Sequence, residues 1–266
     1  MRVDRRRLIE FFDCEPDAAP HASAIKAIVG EELGLALFVQ FLGSTARRVD
    51  APCRIRGAWV SRPALCNPGQ QKGQRLDGWV RVDGRDAVIL YQVEVKVWAW
   101  SSVLRDPAMG CGACKPAEAS PRRRLSRRLP PDVPPATLRA HKMSRWAEYW
   151  CTQCGFRHSA LCKVLDEMKR PVGADKQPLA GEVRPLACLW DAVHPTGADA
   201  PLFEIRIPER VPNQGGFSHL WVFSMSAYLR SLADADVELD LPYTTERLQW
   251  LDRIFTTVQE RTTRHG

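Results

Sequence analysis

Residues 91–96 place three polar side chains in a row within an otherwise apolar strand pattern. Gln92, Glu94 and Lys96 share one face, because successive side chains of a strand point to opposite sides. The opposite face carries only Tyr91 and valines. Carboxylate and ammonium groups at this spacing are residue types that hold a divalent cation and act on a water molecule. The row therefore indicates a candidate hydrolytic site.

A hairpin brings a second carboxylate to the same face. Residues 75–98 are predicted to form two strands joined at 83–86, where Asp and Gly residues favour a turn. A turn of even length keeps Asp77 on the face of Glu94. With the turn centred on 83–86, Asp77 lies opposite Gln92 and diagonal to Glu94, about 7–8 Å away at the backbone. Two carboxylates this close repel unless a cation lies between them.

A phosphodiester is the substrate that suits these groups. A divalent cation bound by Asp77 and Glu94 would polarise a scissile phosphate and lower the pKa of a bound water. The ammonium of Lys96 would orient that water or help to deprotonate it, and would offset developing negative charge. A third acid on the preceding helix, Glu32 or alternatively Glu31, would reach the cation directly or through water, because an acid on an apolar stripe needs a partner.

The remaining pattern supplies the elements that position these residues. Apolar residues recur with helical spacing over residues 23–42, on the stripe that carries Glu32. Further helices are predicted at 135–150, 156–168 and 245–258, and strands within 184–193, 201–208 and 219–229. This order predicts a single α/β domain over residues 1–266, with helices packed on a central sheet.

At these residues the sequence resembles the PD-(D/E)XK, or restriction-endonuclease-like, nuclease superfamily. The matching positions are Asp77, Glu94 after sixteen intervening residues, Lys96 two residues later, and the glutamate pair of the preceding helix. Leu76 stands where the superfamily name has proline. The resemblance implies an αβββαβ core with a central mixed β-sheet, a nuclease that requires Mg²⁺ or Mn²⁺, and a place for Gln92 near the site.

The resemblance covers residues 23–100 clearly and the later elements only in their general order. It favours DNA over RNA as substrate and suggests nucleases of bacterial genome defence. A homodimer would supply two sites for the two strands of a duplex. Two alternatives remain open. Glu94 and Lys96 would form an ion pair on a solvated face while Asp77 caps a turn, or an inactive α/β protein would bind nucleic acid or a protein partner.

The excess positive charge is concentrated in one segment. The chain has 38 basic and 31 acidic residues, a net charge of +7. Residues 105–136 contain seven prolines and no sustained period, which predicts a flexible basic insertion. Its arginines would attract the phosphate backbone of nucleic acid, with a solvated linker as the alternative. They are Arg122, Arg123, Arg124, Arg127 and Arg128.

The nine cysteines are an odd number scattered through the chain, which favours a reducing compartment and a cytoplasmic protein over a disulfide framework. Two C-x-x-C pairs with 36 residues between them are candidate ligands of a structural Zn²⁺. Ordinary burial as small apolar side chains is the alternative. The four residues are Cys111, Cys114, Cys151 and Cys154.

Several classes of protein have no support in the sequence. The longest apolar run, residues 33–42, is about half as long as a membrane-spanning helix. The first residues lack the apolar region of a secretory signal. A glycine-rich phosphate loop and a G-x-S-x-G motif are also absent, which argues against ATP hydrolysis and serine-hydrolase chemistry.

Overall fold

The computed structural model describes residues 1–13, 20–48, 54–60, 76–83, 87–97, 161, 164–165, 168, 181–192, 194, 200–207, 209, 211, 213 and 215–263. Within them the strands are β1 Arg2–Asp4, β2 Arg54–Val60, β3 Gly78–Asp83, β4 Val88–Lys96, β5 Glu182–Leu189, β6 Leu202–Arg206, β7 His219–Ser224 and β8 Asp236–Glu238. The helices in this part of the chain are α1 Arg5–Asp13, α2 Pro20–Arg48, α3 Met225–Ser231 and α4 Pro242–Thr263.

Six strands form one mixed sheet in the order β2-β3-β4-β5-β7-β6. The strands β2, β3 and β4 are antiparallel neighbours, and β5 lies parallel to β4. The strand β7 continues the parallel part, and β6 closes the sheet antiparallel to β7. The strands β1 and β8 form a separate antiparallel pair. The predicted α/β class, with helices flanking a central mixed sheet, is confirmed.

Each face of the sheet lies beneath its own apolar cluster. Tyr91, Val93 and Val95 belong to the cluster that includes residues of α2, as the alternation in the sequence predicts. The polar row faces the other cluster, which contains Leu90 of β4. There Gln92 is 0% and Glu94 only 4% exposed, so the interpretation of this face as solvated is wrong. Gln92 and Glu94 are buried because β4 is central and both faces are covered.

Two glycines let α2 approach β4 closely. A methyl group added at Gly34 would lie 2.6 Å from Cγ1 of Val95, and one added at Gly30 would lie 2.0 Å from Cγ2 of Val97. Carbon atoms ordinarily pack about 3.5–4.0 Å apart, so only glycine fits at both positions. Val95 lies near the carboxyl end of β4 and Val97 directly follows the strand, so this contact holds Glu31 and Glu32, which lie between the two glycines, near the same end.

Several predicted elements have different bounds. The helix predicted at 23–42 is α2, and the helix predicted at 245–258 is the longer α4. Residues 219–229 are not one strand, because β7 ends at Ser224 and α3 begins at the next residue. The Ser224 side chain accepts a hydrogen bond from the backbone N of Ala227, which caps the helix and stops the strand. The sequence did not indicate β1, α1, β2 or β8.

The helix predicted at 135–150 and the basic insertion at 105–136 lie outside the described residues. From the predicted helix at 156–168, residues 161, 164 and 165 are described and helical, and they are buried against the sheet face that carries Glu94. Among the described helices, none is both long and apolar enough to cross a bilayer.

Candidate active site

The candidate residues meet at one edge of the sheet. The parallel strands β4, β5 and β7 all end at this edge, and β3, which runs antiparallel to β4, begins there. Lys96 is the last residue of β4 and Glu94 lies two residues before it, and Asp77 immediately precedes β3. Carboxyl ends of parallel strands are common ligand sites in open α/β sheets. The hairpin thus brings the three predicted residues to one place.

The strand register differs from the predicted one by two residues. Asp83 pairs with Val88, so the turn is two residues longer than expected. Gly78 pairs with Val93, which puts Asp77 at the level of Glu94 and not opposite Gln92. The predicted pairing is therefore wrong, but the predicted face is retained because a shift of two residues preserves the parity of the pleat.

The Asp77 carboxylate has a fixed orientation. Its Oδ2 accepts a hydrogen bond of 2.6 Å from the backbone N of Val95. A carboxylate offers about four lone-pair positions, so this contact is compatible with cation binding. The charge of Asp77 also reaches β5: burial, together with this charge, raises the pKa of Cys188 well above its ordinary value. That thiol therefore stays protonated at neutral pH.

Lys96 and Glu94 form an ion pair between Nζ and Oε1. Burial alone lowers the pKa of Lys96, but the charge and hydrogen bond of Glu94, with the charges of Asp77 and Glu31, outweigh it and raise the pKa above its ordinary value. Lys96 is consequently an ammonium at neutral pH. Of the two roles expected for it, donation to water fits this state, whereas removing a proton from water does not.

We expect Glu94→Gln to lower the pKa of Lys96. The substitution removes the largest effects that raise this pKa and leaves burial, which lowers it. A raised pKa also means that Lys96 stabilises the wild-type fold below its unfolded pKa, and that this contribution is lost as pH rises through the folded value. NMR titration of the lysine Cε signals measures the shift. Glu182→Gln, which removes the partner of Arg184, is the control, and an unchanged Lys96 titration in Glu94→Gln would contradict the assignment.

Glu32 is not placed as predicted. Its Oε1 accepts a hydrogen bond of 2.7 Å from the backbone N of Tyr243, and its Oε2 accepts bonds of 2.8 and 2.6 Å from N and Oγ1 of Thr244. Tyr243 and Thr244 lie in the first turn of α4, whose backbone N–H groups have no partner within the helix. Glu32 is 8% exposed and caps α4, which satisfies the acid on the apolar stripe without a cation.

Glu31 is the helix acid that acts on the site. Its charge contributes to the raised pKa of Lys96, and its side chain is exposed. Consecutive side chains on a helix point about 100° apart, so Glu31 points in a different direction from Glu32, which is bonded to α4. Glu31, the alternative considered from the sequence, is therefore the acid near the candidate site.

Gln92 lies deeper in the sheet than Glu94. It is fully buried and pairs in register with Trp79 of β3. The two-residue period of β4 puts it on the same face as Glu94, one step away from the edge. Gln92 therefore belongs to the floor beneath the candidate site.

The segment after β5 contributes residues that the sequence analysis did not single out. The backbone N of Trp190 donates to the carbonyl of Lys96 at 3.3 Å, and the carbonyl of Trp190 accepts from the N of Ser226 at 2.8 Å. The indole Nε1 of Trp190 donates to Asp13 at 2.7 Å. These bonds tie the end of β4 to α3 and α1. The signal in the sequence was a Trp-Asp pair directly after an apolar strand.

Two carboxylates, those of Asp77 and Glu94, lie at the same level of the sheet, and both are residue types that can bind a cation. Among the residues that the structure describes, no group of three or more His, Cys, Asp or Glu side chains is arranged around a common metal position. Mg²⁺ is commonly bound through one or two carboxylates while it keeps several waters, and this donor set fits that pattern. The four candidate zinc ligands and the five arginines of the basic insertion lie outside the described residues.

No protein-family model, curated protein or solved structure matches this sequence or its fold.

Proposed function

We propose that this protein is a nuclease that hydrolyses phosphodiester bonds with Mg²⁺ or Mn²⁺. The observation that carries the proposal is the convergence of Asp77, Glu94 and Lys96 at the carboxyl edge of a central strand. The two acids would supply ligands for a cation, and the ammonium would supply positive charge that stabilises the phosphate in the transition state of hydrolysis. A site that only binds nucleic acid would need only arginine or lysine side chains. Buried carboxylates repel the phosphates of nucleic acid unless a cation lies between them.

The strand order supports a restriction-endonuclease-like core. The helix α2 precedes the antiparallel strands β2, β3 and β4, and β5 then lies parallel to β4 after a crossover whose described residues include the helical positions 161, 164 and 165. This succession follows the αβββαβ order that the sequence resemblance implies. The strand β7 and its antiparallel neighbour β6 extend the sheet beyond that order.

Each side chain has a distinct role in the proposed reaction. Bound Mg²⁺ or Mn²⁺ would polarise the scissile phosphate and acidify a water. Asp77, held by the N–H of Val95, presents its carboxylate in one orientation, which lowers the cost of ordering a ligand. Lys96 donates hydrogen bonds to the attacking water or to a phosphate oxygen, and Glu94 holds the ammonium in place while it binds the cation. Glu31 adds negative charge at the exposed side of the site, near Lys96.

DNA is the proposed substrate, and genome defence is the proposed setting. The net charge of +7 favours a polyanionic partner, and the basic segment at 105–136 supplies arginines for its phosphates. The preference for DNA over RNA derives from the sequence resemblance. Both nucleic acids therefore belong in the assay.

Metal dependence tests the proposal most directly. Purified protein is incubated with single- and double-stranded DNA and RNA, in Mg²⁺, Mn²⁺, Ca²⁺ or EDTA. We expect strand cleavage with Mg²⁺ or Mn²⁺, little with Ca²⁺, and none with EDTA, because the carboxylates need a cation to bind the phosphate. Cleavage that persists in EDTA, or its absence with every substrate and metal, is incompatible with the proposal.

A further inference from the structure

The helix α1 ends with an acid at a position that the helix itself disfavours. Asp13 is the last residue of α1, and its side chain is 44% exposed. The carboxyl end of a helix carries partial negative charge, which repels a carboxylate, so acids are better placed at the other end. Groups outside the helix must therefore stabilise Asp13 at this position.

Two donors hold the Asp13 carboxylate. The indole Nε1 of Trp190 donates to Oδ1 at 2.7 Å, and the guanidinium of Arg230 in α3 donates to Oδ2 at 3.1 Å. Next to them, the carbonyl of Phe12 accepts a hydrogen bond of 3.0 Å from Nζ of Lys26, a buried residue of α2. The end of α1 is thus bonded to α2, to α3 and to the residue that follows β5.

Trp190 connects this anchored helix end to the candidate site. Its side chain is fully buried, and its ring stacks on Phe12 with the centroids 4.5 Å apart. A buried indole N–H needs an acceptor, which Asp13 supplies. The backbone N of Trp190 donates to the carbonyl of Lys96, the last residue of β4. The place of the tryptophan side chain therefore affects where the end of β4 is held.

Lys96 depends on this contact because it lies at the end of the paired strands. The pairing of β4 with β5 ends at Lys96 and Leu189, and the bond from Trp190 follows directly. The ends of paired segments open more readily than their centres. An ammonium that acts on reacting atoms must keep its place, since small displacements of such a group lower the rate.

We propose that Asp13 is a positioning residue that fixes Trp190 and, through it, the backbone of Lys96. The part that Lys96 takes in cleavage rests on the proposed function, whereas the connection from α1 to the end of β4 rests on the hydrogen bonds alone. Order at the candidate site then depends on whether α1 is docked on Trp190.

Two substitutions of Asp13 in the full chain separate its hydrogen bond from its charge. Asp13→Asn keeps an acceptor for the indole N–H and loses the charge that pairs with Arg230, whereas Asp13→Ala loses both. Circular dichroism is expected to show that both variants are folded, because the side chain is half-exposed. Glu10→Ala, which removes an exposed acid from the same helix, is the control.

Amide hydrogen exchange of Trp190 and the backbone NMR signals of residues 94–96 measure the connection without any need for cleavage. Asp13→Ala is expected to speed the exchange of the Trp190 amide about tenfold or more and to shift those signals, because the loss of a bond to a charged acceptor lets the strand end open more often. Asp13→Asn and Glu10→Ala are expected to stay close to the wild type. In a cleavage assay, Asp13→Ala should lower kcat about tenfold with little change in KM.

Three results would overturn the proposal: a Trp190 amide that exchanges at the wild-type rate in Asp13→Ala, an Asp13→Asn variant that behaves like Asp13→Ala, or an equal effect of Glu10→Ala. A wild-type protein that cleaves no substrate would contradict the nuclease function instead. The exchange rates would still decide whether Asp13 holds the end of β4.

Discussion

Lys96→Met is expected to reduce metal-dependent cleavage by roughly 10²–10⁴-fold, the usual range for a positioned acid–base or charge-stabilising group. The methionine side chain retains much of the volume of lysine but cannot donate to water or to phosphate. Glu94→Gln, an isosteric change, is expected to reduce cleavage to a similar degree by removing a cation ligand and the anchor of the ammonium.

The dependence of the cleavage rate on metal concentration distinguishes the role of Glu94 as a cation ligand from the role of Lys96 as a donor to the reacting atoms. Raising Mg²⁺ should partly restore Glu94→Gln, because that variant binds the cation more weakly, whereas Lys96→Met should not respond, because its missing group donates to the reacting atoms. Binding of uncleaved DNA in Ca²⁺ should change much less than cleavage in both variants. The comparison requires rates at several metal concentrations with a fixed substrate.

Folding must be measured in the same variants. Glu94 is 4% exposed, and removal of one member of a buried ion pair commonly costs about 3–5 kcal/mol. The double variant Glu94→Gln with Lys96→Met removes both charges and should unfold at higher denaturant concentration than Lys96→Met alone. The exposed pair Arg206 and Glu209, 3.2 Å apart, is the matched control: Arg206→Met and Glu209→Gln should leave cleavage unchanged. Cleavage by folded Lys96→Met within threefold of wild type would exclude this site.

Glu31 and Glu32 are expected to have opposite effects although they are neighbours in sequence. Glu32→Ala removes three hydrogen bonds from the first turn of α4 and should lower the free energy of unfolding by about 3 kcal/mol, since bonds to a charged acceptor contribute about 1.5–3 kcal/mol each and partial hydration offsets some of the loss. Cleavage per folded molecule should remain close to wild type.

Glu31→Ala should behave in the reverse manner. Its side chain is exposed, so the free energy of unfolding should change by less than about 0.5 kcal/mol. Cleavage should fall only modestly, because the cation would lose a nearby negative charge, and the pKa of Lys96 should decrease while the group stays an ammonium at neutral pH. Denaturant unfolding and cleavage rates of both variants measure the contrast. A Glu32→Ala variant with normal stability and lost cleavage would return the metal-supporting role to Glu32.

The sequence by itself determined which face of β4 carries each side chain. The period of two puts Tyr91, Val93 and Val95 on one side and the polar row on the other, and this follows from strand geometry alone. It also determined that Asp77 shares the face of Glu94, because any even turn preserves parity. The helical period of α2 likewise showed that Glu32 lies on an apolar stripe and needs a partner.

Only the tertiary structure decided which partners those residues have. The turn chemistry at 83–86 is compatible with more than one even length, so the level of Asp77 depended on the pairing of whole strands. The partner of Glu32 is the first turn of a helix more than 200 residues away, as the separation of 211 from Tyr243 shows. No local pattern encodes such a contact.

The tertiary structure also decided which residues meet at the carboxyl ends of the parallel strands. Trp190 bonds to the end of β4, and Ser226 bonds to Trp190, because β5 and β7 run parallel to β4 and parallel pairing joins segments that are distant in sequence. Likewise, the burial of Gln92 and Glu94 requires a second layer over the sheet. Alternation fixes the direction of a side chain, but whether water, a carboxylate or a helix terminus meets it depends on how the elements pack.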